Sequence, residues 1–447
     1  MNFHILFLAF LLVFALGSAL RAAFSSLSRG LLRLLAIPLS FALCYLLQHL
    51  GLFRLVGEAA LSFLQKNETV APFLQASPYL AAFLEGVTSS LISAVLFPLC
   101  FLILYYIFRL FLRLAFGKCL ARLLDRETES GGVACARAAG SAVAGAVGGV
   151  LLSAVLLMPI FYLFSFASAA VTCSRTPCEE KIALYEELSI LDENFVAPYE
   201  QAPAVTFYRM TGLSGLMCHT AELGSRTVVE GKEICAAQTV RSLLTHVPNL
   251  YLHMEAWTIS DAPMATDLAA LADDPFLLGT LADIISHEAK AYAAGQPGLF
   301  IEASGEGEGT TPYLLEVFAS TYGDATTEEV RNDLHTILSA GSILAESDFF
   351  NDFTRAFRTG TEGDEAMADV LISNLGHVGR LMDALYAEDP EHRLSDTIFD
   401  ILLESEEVQK FITRETIDEL NRAVAAGETT YESFTLFLQG LMGIIVN

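Results

Sequence analysis

The histidines and serines of this chain approach two catalytic motifs without completing either. His287-Glu288 begins the His-Glu-x-x-His pattern of zinc hydrolases, which needs a second histidine one helical turn later, but Ala291 occupies that position. Ser214 follows Gly-Leu and precedes a glycine, as in the Gly-x-Ser-x-Gly turn that exposes a nucleophile, but Leu216 replaces the final glycine. We therefore predict no catalytic residue, no cofactor and no metal, and we expect that the chain is not an enzyme.

Other candidate metal ligands have unsuitable spacing. His246 and His253 are seven positions apart, and Pro248 between them is expected to interrupt the helix that would align their rings. Acidic runs such as Asp273-Asp274 lack the alternating ligands and the glycine of an EF-hand loop, which leaves room only for weak, diffuse calcium binding. Structural roles are the simpler interpretation of all these residues.

Four of the eight cysteines lie beyond residue 171 and are candidates for disulfides. These are Cys173, Cys178, Cys218 and Cys235. An even number suits disulfides in an oxidising compartment, with three connectivities open. The pairs that are close in sequence, Cys173–Cys178 and Cys218–Cys235, are our prediction. A zinc site would need two Cys-x-x-Cys-like pairs, and the observed spacings fit that pattern poorly.

Four apolar runs precede residue 172 and are expected to be membrane-spanning helices. They extend over Phe3–Leu20, Leu31–Val56, Ser89–Leu112 and Ala138–Val171. Each can supply the roughly 20 helical residues that cross a bilayer. Pro38, Pro98 and Pro159 each lie within a run, where a kink is expected. No Asp, Glu, Lys or Arg lies near the middle of a run, which disfavours a pump or an ion-coupled carrier.

Small residues recur every four positions along the fourth run. The candidates for helix packing are Gly140, Ala144, Gly145, Gly148 and Gly149. Such a stripe lets another helix backbone approach closely. It predicts either packing against the chain's own spans, which we favour, or a homo-oligomer formed through the fourth span.

Basic residues predict the orientation of the spans. Nine of the eleven Lys and Arg residues before position 172 flank the first and third connections. They include Arg29, Arg113, Lys118, Arg122 and Arg126. The positive-inside rule places both connections in the cytoplasm. The N-terminus, the second connection and the C-terminal region are then extracytoplasmic.

The two parts of the chain carry very different charge. Residues 1–171 have a balance of +5 and residues 172–447 a balance of −31, within a total of −26. This split predicts a membrane domain over 1–171 and an acidic extracytoplasmic domain over 172–447. Strong acidity keeps a domain soluble and disfavours nucleic acid as a partner. The expected partners are the lipid bilayer and an unidentified extracellular or envelope partner.

The first part resembles the colicin V production protein (CvpA) family of bacterial inner-membrane proteins. The resemblance rests on the four spans and on three short motifs. The motifs are Ser28-Arg29-Gly30 before a Leu-rich span, the basic helix Leu120–Arg126, and the glycine-rich start of the fourth span from Arg137 to Gly145. It implies a role in colicin V production or envelope physiology. Some members carry a serine protease after the fourth span, and no such signature is present in this sequence.

The C-terminal region shows helical periodicity over most of its length. Helices are predicted at Glu179–Asn194, Ala236–Val247, Pro263–Asp273, Phe276–Ala294, Thr327–Leu344, Glu365–Ala387 and Thr416–Ala425. Thr326 with Glu329, and Thr416 with Glu419, fit the capping box. The stretch 201–234 could hold a few strands. The predicted fold class is all-α: a four-helix transmembrane bundle followed by a large, mostly helical extracytoplasmic domain.

These observations favour a non-enzymatic, multi-pass envelope protein whose outer domain binds or organises a partner. Two alternatives remain open. One is an oligomeric channel or transport accessory built through the fourth span. The other is a membrane-tethered hydrolase whose site the sequence does not reveal.

Overall fold

A computed structural model describes most of the chain, and the fold is mostly helical as predicted. The residues that it describes are 3–67, 70–124, 131–176, 182–255, 261–300, 320–345, 347–353, 363–388, 393–403 and 405–446. Arg126 and Cys178 lie outside these ranges. Within the described part, one two-stranded hairpin is the only sheet.

Four helices are long and apolar enough to cross a membrane, in agreement with the four predicted spans. They are α1 (Phe3–Ala23), α2 (Leu27–His49), α5 (Pro78–Leu124) and α6 (Gly131–Leu156). Two short helices, α3 (Arg54–Leu64) and α4 (Ala71–Ala76), lie between the second and third spans. The chain is therefore a multi-pass membrane protein by the length and composition of its helices.

Proline has different effects in the different spans. Pro38 and Pro98 lie inside continuous helices. The fourth apolar run is interrupted at Leu157, and a separate helix α7 (Met158–Ala170) follows with Pro159 in its first turn. A proline in the first turn of a helix loses no intrahelical hydrogen bond, so this position tolerates it best.

The remaining elements follow in chain order. They are α8 (Ala183–Leu191), α9 (Ala197–Glu200), α10 (Pro203–Met210), α11 (Leu213–Glu222), β1 (Arg226–Val229), β2 (Lys232–Cys235), α12 (Ala236–Glu255), α13 (Asp261–Ala272), α14 (Pro275–Ala293), α15 (Thr327–Ser339), α16 (Gly341–Ala345), α17 (Gly363–Ser373), α18 (Leu375–Glu388), α19 (Arg393–Leu403), α20 (Glu406–Gln409), α21 (Arg414–Ala425) and α22 (Tyr431–Val446).

The hairpin turns through two residues with positive φ. Strands β1 and β2 pair antiparallel, with Val229 opposite Lys232. Glu230 and Gly231 between them have φ of 50° and 80°. Two left-handed residues in succession match the twist of a two-residue hairpin, and glycine adopts this conformation without steric cost.

The described chain divides into two compact units that interleave in sequence. Unit 1 comprises residues 1–65, 82–177 and 183–241, and unit 2 comprises residues 66–81, 178–182 and 242–447. The single boundary predicted after Val171 does not anticipate this interleaving. A segment between the second and third spans belongs to unit 2, and the first elements after the spans belong to unit 1.

Unit 1 joins the spans to the helices that follow them. Tyr199 stacks on Phe164 of α7, with ring centroids 3.8 Å apart. The hydroxyls of Tyr208 on α10 and Ser153 on α6 are hydrogen-bonded at 2.6 Å. Residues 183–241 are therefore packed directly on the membrane-spanning helices within this unit.

Unit 2 is held by an apolar core and by specific helix caps. Leu375, Val378, Phe399 and Leu402 are fully buried in that core. The carboxylate of Asp383 on α18 accepts hydrogen bonds from the first backbone N–H groups of α22, at 2.7 and 3.0 Å. Such bonds satisfy N–H groups that a helix start leaves without an intrahelical partner.

One of the two predicted capping boxes is present and the other is wrong. Thr326 and Glu329 cap α15 reciprocally. The second box begins one turn earlier than predicted, because the Thr413 side chain accepts from the backbone N–H of Thr416 and starts α21 at Arg414. Glu419 therefore lies inside the helix instead of completing its cap.

Candidate functional site

The strongest candidate for ligand binding in unit 2 is a polar cavity of about 360 Å³. It lies where the start of α18 meets α22 and the segment 347–353. Its lining side chains include Asp348, Asp352, Asn374, His377, Arg380 and Glu432. Both signs of charge therefore face one space, as expected for a site that binds a polar ligand carrying both charges.

Two glycines of α18 allow α22 to approach and shape this cavity. A Cβ on Gly379 would lie 2.8 Å from the Cα of Glu432 and 3.0 Å from the carbonyl oxygen of Tyr431. A Cβ on Gly376 would lie 2.9 Å from a methyl group of Leu436. Side chains larger than hydrogen would push the helices apart, so these glycines set their separation.

The polar groups of the cavity are arranged for binding, since none is placed as an activated nucleophile. The Ser347 hydroxyl donates to the carbonyl oxygen of Leu344 at 2.7 Å, and the Ser373 hydroxyl donates to that of Asp369 at 2.8 Å. Arg380 lies 3.7 Å from the Glu432 carboxylate. A catalytic serine would instead be hydrogen-bonded to a general base.

The two histidines of α12 lie on the same side of their helix, contrary to the sequence expectation. Helix α12 continues through Pro248. The His246 ring lies 2.6 Å and the His253 ring 3.8 Å from the carboxylate of Asp267, which is almost fully buried. In the described ranges no group of three His, Cys, Asp or Glu residues is arranged to hold a metal ion.

The His287-Glu288 pair has a structural role. Glu288 is 1% exposed, and its carboxylate accepts hydrogen bonds from the backbone N–H groups of Leu299 and Phe300. A Cβ on Gly298 would lie 2.7 Å from the Glu288 carboxyl carbon, so the loop needs glycine there. The glutamate therefore holds a loop that follows α14.

Ser214, the other residue that approached a catalytic motif, begins an ordinary helix. Gly212 before it has φ of 73° and is the N-cap residue of α11. Across the described part of the chain, no hydrogen bond joins Ser214 to a histidine. The local geometry is that of a helix start and not of a nucleophile turn.

The predicted Cys218–Cys235 disulfide is not formed in the structure. Cys173, Cys218 and Cys235 are separate thiols. Both Cys218 and Cys235 pack on the unit 1 core, and the Cys235 sulfur lies 3.1 Å from the Ser225 hydroxyl. Burial raises the pKa of the Cys218 thiol to about 11. The Cys173–Cys178 pairing involves a residue outside the described ranges.

The small residues of the fourth span contact the first two spans. An ideal Cβ on Gly145 would lie 2.5 Å from the carbonyl oxygen of Ser18, and one on Gly149 would lie 2.8 Å from the carbonyl carbon of Phe14. Gly148 faces Ile37 of α2, Gly140 lies near Leu27, and Ala144 is buried. This geometry is that of packing within one chain.

Four of the basic residues that predict the orientation are exposed. They are Arg29 near the start of α2, and Arg113, Lys118 and Arg122 towards the end of α5. None of these four forms an ion pair within the described residues. Exposed cations near the ends of spans are typical of the cytoplasmic face of a membrane protein.

The comparisons with known proteins identify no relative. No family model, no curated protein and no solved structure matches this chain. The resemblance to the CvpA family therefore has no independent support.

Proposed function

We propose that this chain is a non-enzymatic, multi-pass protein of the cell envelope whose acidic unit 2 binds a small polar ligand or peptide segment. The observation that carries the proposal is the cavity between α18 and α22, in which Asp348 and Arg380 line the same space. The charge split and the positive-inside rule support an extracytoplasmic position for this unit.

The proposal is compatible with the CvpA resemblance but does not depend on it. Members of that family are linked to envelope physiology without agreed catalytic residues. A ligand-binding outer region on a membrane bundle fits such a role. The charges that line the cavity favour a polar ligand with both positive and negative groups.

A channel formed through the fourth span is less well supported. Gly145 and Gly149 approach the backbone of α1 so closely that this face is already occupied within one chain. A second chain would have to displace α1 to use the same stripe. No observation on the described residues favours the hydrolase alternative.

Ligand-induced stabilisation of the full-length protein in phosphatidylcholine nanodiscs tests the proposal. A panel of zwitterionic amino acids and short peptides should include compounds that raise the unfolding temperature. Purely anionic or purely cationic analogues should leave the unfolding temperature unchanged. The increase should disappear in Arg380→Gln and Asp348→Asn.

Glu419→Gln provides the matched control, because Glu419 is an exposed residue of α21 that does not line the cavity. It should respond like the unmodified protein. If no member of the panel stabilises the protein, or if both cavity variants respond unchanged, the cavity is not the binding site.

A further inference from the structure

Three arginines from three different spans converge on one cavity in unit 1. The cavity has a volume of about 120 Å³, equal to roughly four water molecules. Its polar lining includes Arg21 in the last turn of α1, Arg33 in the second turn of α2, and Arg109 on α5. Helices α1 and α2 are joined by three residues, so their arginines lie at the same end of the bundle.

Among the residues that the structure describes, no carboxylate pairs with any of the three guanidinium groups. None of them forms an ion pair or a hydrogen bond among the residues that the structure describes. Arginines near span ends ordinarily extend away from the bilayer into water, where like charges separate. Here Arg33 and Arg109 are partly buried, and together with the exposed Arg21 they line a common space. Like charges held together this way repel one another unless an anion lies between them.

An apolar groove adjoins this cavity, and α2 and α6 contribute residues to the lining of both. Leu34 and Ile37 of α2 line both spaces. The groove has a volume of about 390 Å³ and runs past Phe41 and Leu151 to Met217 on α11. From Leu34 to Phe41 it follows α2 for about 10 Å, at 1.5 Å per residue.

The lining of the groove is apolar throughout. Its other members are Leu35, Pro38, Ala154, Val155, Leu213 and Leu216. A purely apolar groove beside a cationic cavity matches a molecule with an anionic head and a hydrocarbon tail. Neither a free anion nor a soluble peptide would use both spaces.

We propose that unit 1 binds one anionic phospholipid, with its phosphate between Arg21, Arg33 and Arg109 and an acyl chain in the groove between α2 and α6. The guanidinium groups donate hydrogen bonds to the phosphate oxygens, which is the geometry that arginine offers to phosphate. Basic pockets between spans on the cytoplasmic side are suited to anionic head groups. Tyr105 and Tyr106 also line the cavity, and tyrosine is a residue that membrane proteins enrich at the head-group region.

Native mass spectrometry of the full-length protein tests this site directly. The protein is extracted from mixed phosphatidylcholine and phosphatidylglycerol bilayers, and the retained lipids are counted. One phosphatidylglycerol should remain bound in preference to phosphatidylcholine. Arg33→Gln and Arg109→Gln should each reduce its retention by about tenfold, because each removes a charged hydrogen-bond donor to phosphate. Arg33→Lys should retain part of the bound phosphatidylglycerol, because lysine keeps the positive charge.

Arg113→Gln and Arg122→Gln are the matched controls, because they remove the same charge from α5 outside the cavity. They should retain the lipid fully. If they lose it as strongly as the cavity variants, the attraction is a general surface effect and the site is refuted. Equal retention of the two lipids would refute it as well.

Thermal unfolding distinguishes a lipid from free phosphate and from a structural role of the arginines. Phosphatidylglycerol should raise the unfolding temperature more than inorganic phosphate does, because only the lipid fills the groove. Equal effects would assign the cavity to free phosphate and overturn the lipid proposal. In phosphatidylcholine alone, the two cavity variants should be at least as stable as the unmodified protein. If both unfolded there, the arginines would be structural, which would also contradict the proposal.

Discussion

Two glycines of α6 determine how closely α1 can pack, and one of them is a sensitive point for mutation. Gly149→Ala would place a methyl group 2.8 Å from the carbonyl carbon of Phe14 and 3.0 Å from the Cα of Ala15. Because the obstacle is backbone, α1 must move, at a cost of about 1–3 kcal/mol. Thermal unfolding in detergent should show a clear decrease in stability.

Gly140→Ala is the control for this experiment. Its added methyl group would meet only a side-chain carbon of Leu27, at 3.7 Å. It lies on the same helix and should leave stability unchanged or slightly raised, since alanine favours the helix. Equal losses in the two variants would show that α6 needs glycine for another reason than the approach of α1.

The Cys218 thiol should react slowly with alkylating reagents. Burial raises its pKa from 9.0 to about 11. A shift of two units leaves about 100-fold less thiolate at pH 8 than an ordinary thiol has, and the thiolate is the reactive form. Because the raised pKa favours the neutral form, the labelling rate should rise with pH up to about 11. The labelling rate of Cys218 can be measured by alkylating the folded protein for increasing times and quantifying the product by mass spectrometry.

Exposed Cys119 provides the internal reference for this measurement. It should be labelled first at every pH below 11. Labelling of Cys218 as fast as Cys119 at pH 8 would show that the thiol is accessible and not desolvated. Protection that persists at high pH until a reductant is added would show that Cys218 is in a disulfide after all.

Some single-residue features could be predicted and others could not. The spacing of small residues in α6 indicates a packing face, because it follows from helix periodicity alone. The partner of that face is a tertiary property. The same limit explains why Arg21, Arg33 and Arg109 serve only as orientation signals in the sequence. Their convergence requires that three helices pack with their charged ends together.

At the scale of elements, the segment 66–81 is held within unit 2 by several contacts, among them those of the buried Tyr79 ring. Tyr79 is 1% exposed, and the Arg331 guanidinium lies 4.9 Å from the centre of its ring. The ring packs so closely on α14 that a Cβ on Gly279 would lie 2.5 Å from the Cγ of Tyr79. The Ser77 hydroxyl also donates to the Asp283 carboxylate at 2.7 Å. These contacts attach the start of α5 to α14.

Tyr79→Ala should therefore destabilise unit 2 by about 3–5 kcal/mol, the range for removing a buried aromatic ring. Limited proteolysis should show faster cleavage between residues 66 and 81. Lys66→Ala, at an exposed position of the same segment, should leave the cleavage rate unchanged. An unaltered pattern in Tyr79→Ala would show that other contacts hold the segment.

The existence of most helices could be predicted, whereas their lengths could not. Hydropathy identifies only the apolar part of α5, Ser89–Leu112, because the helix extends past it at both ends with more polar residues. Helices α10, α11 and α19 were not predicted individually. They are short, and their burial on neighbouring elements decides their conformation more than local propensity does.

At the scale of the whole molecule, the interleaving of unit 2 limits the topology. Residues 66–81 lie between the second and third spans, and residues 242–447 follow the fourth. Both belong to one compact unit, as expected if the two spans between them return the chain to the same side of the membrane. This agrees with the even number of crossings in the sequence argument, whichever face is outside.

Labelling with a membrane-impermeant thiol reagent determines that face. In a background without other cysteines, Lys66→Cys and Glu419→Cys should react in intact cells, because both positions are exposed in unit 2. Cys119 should react only after lysis. The opposite pattern would invert the orientation and place the acidic unit in the cytoplasm. Different behaviour of Lys66→Cys and Glu419→Cys would contradict unit 2 itself.

The charge split along the chain is visible in the sequence alone, and it predicts two different environments for the two parts. It could not show that residues 183–241 pack on the spans. In that segment, the buried side chains of Tyr199, Tyr208 and Met217 contact the bundle. The charge of a segment indicates which solvent surrounds it, but it does not predict which element the segment packs against.

The interleaved construction of unit 2 also has a consequence for synthesis. A ribosome makes residues 66–81 well before α14, which starts about 190 residues later, an interval of roughly 10–40 s at ordinary translation rates. During that time Tyr79 and Phe73 have no α14 or residue 300 to cover them. Nascent chains halted between the two segments should therefore recruit chaperones on the side of the membrane where unit 2 assembles.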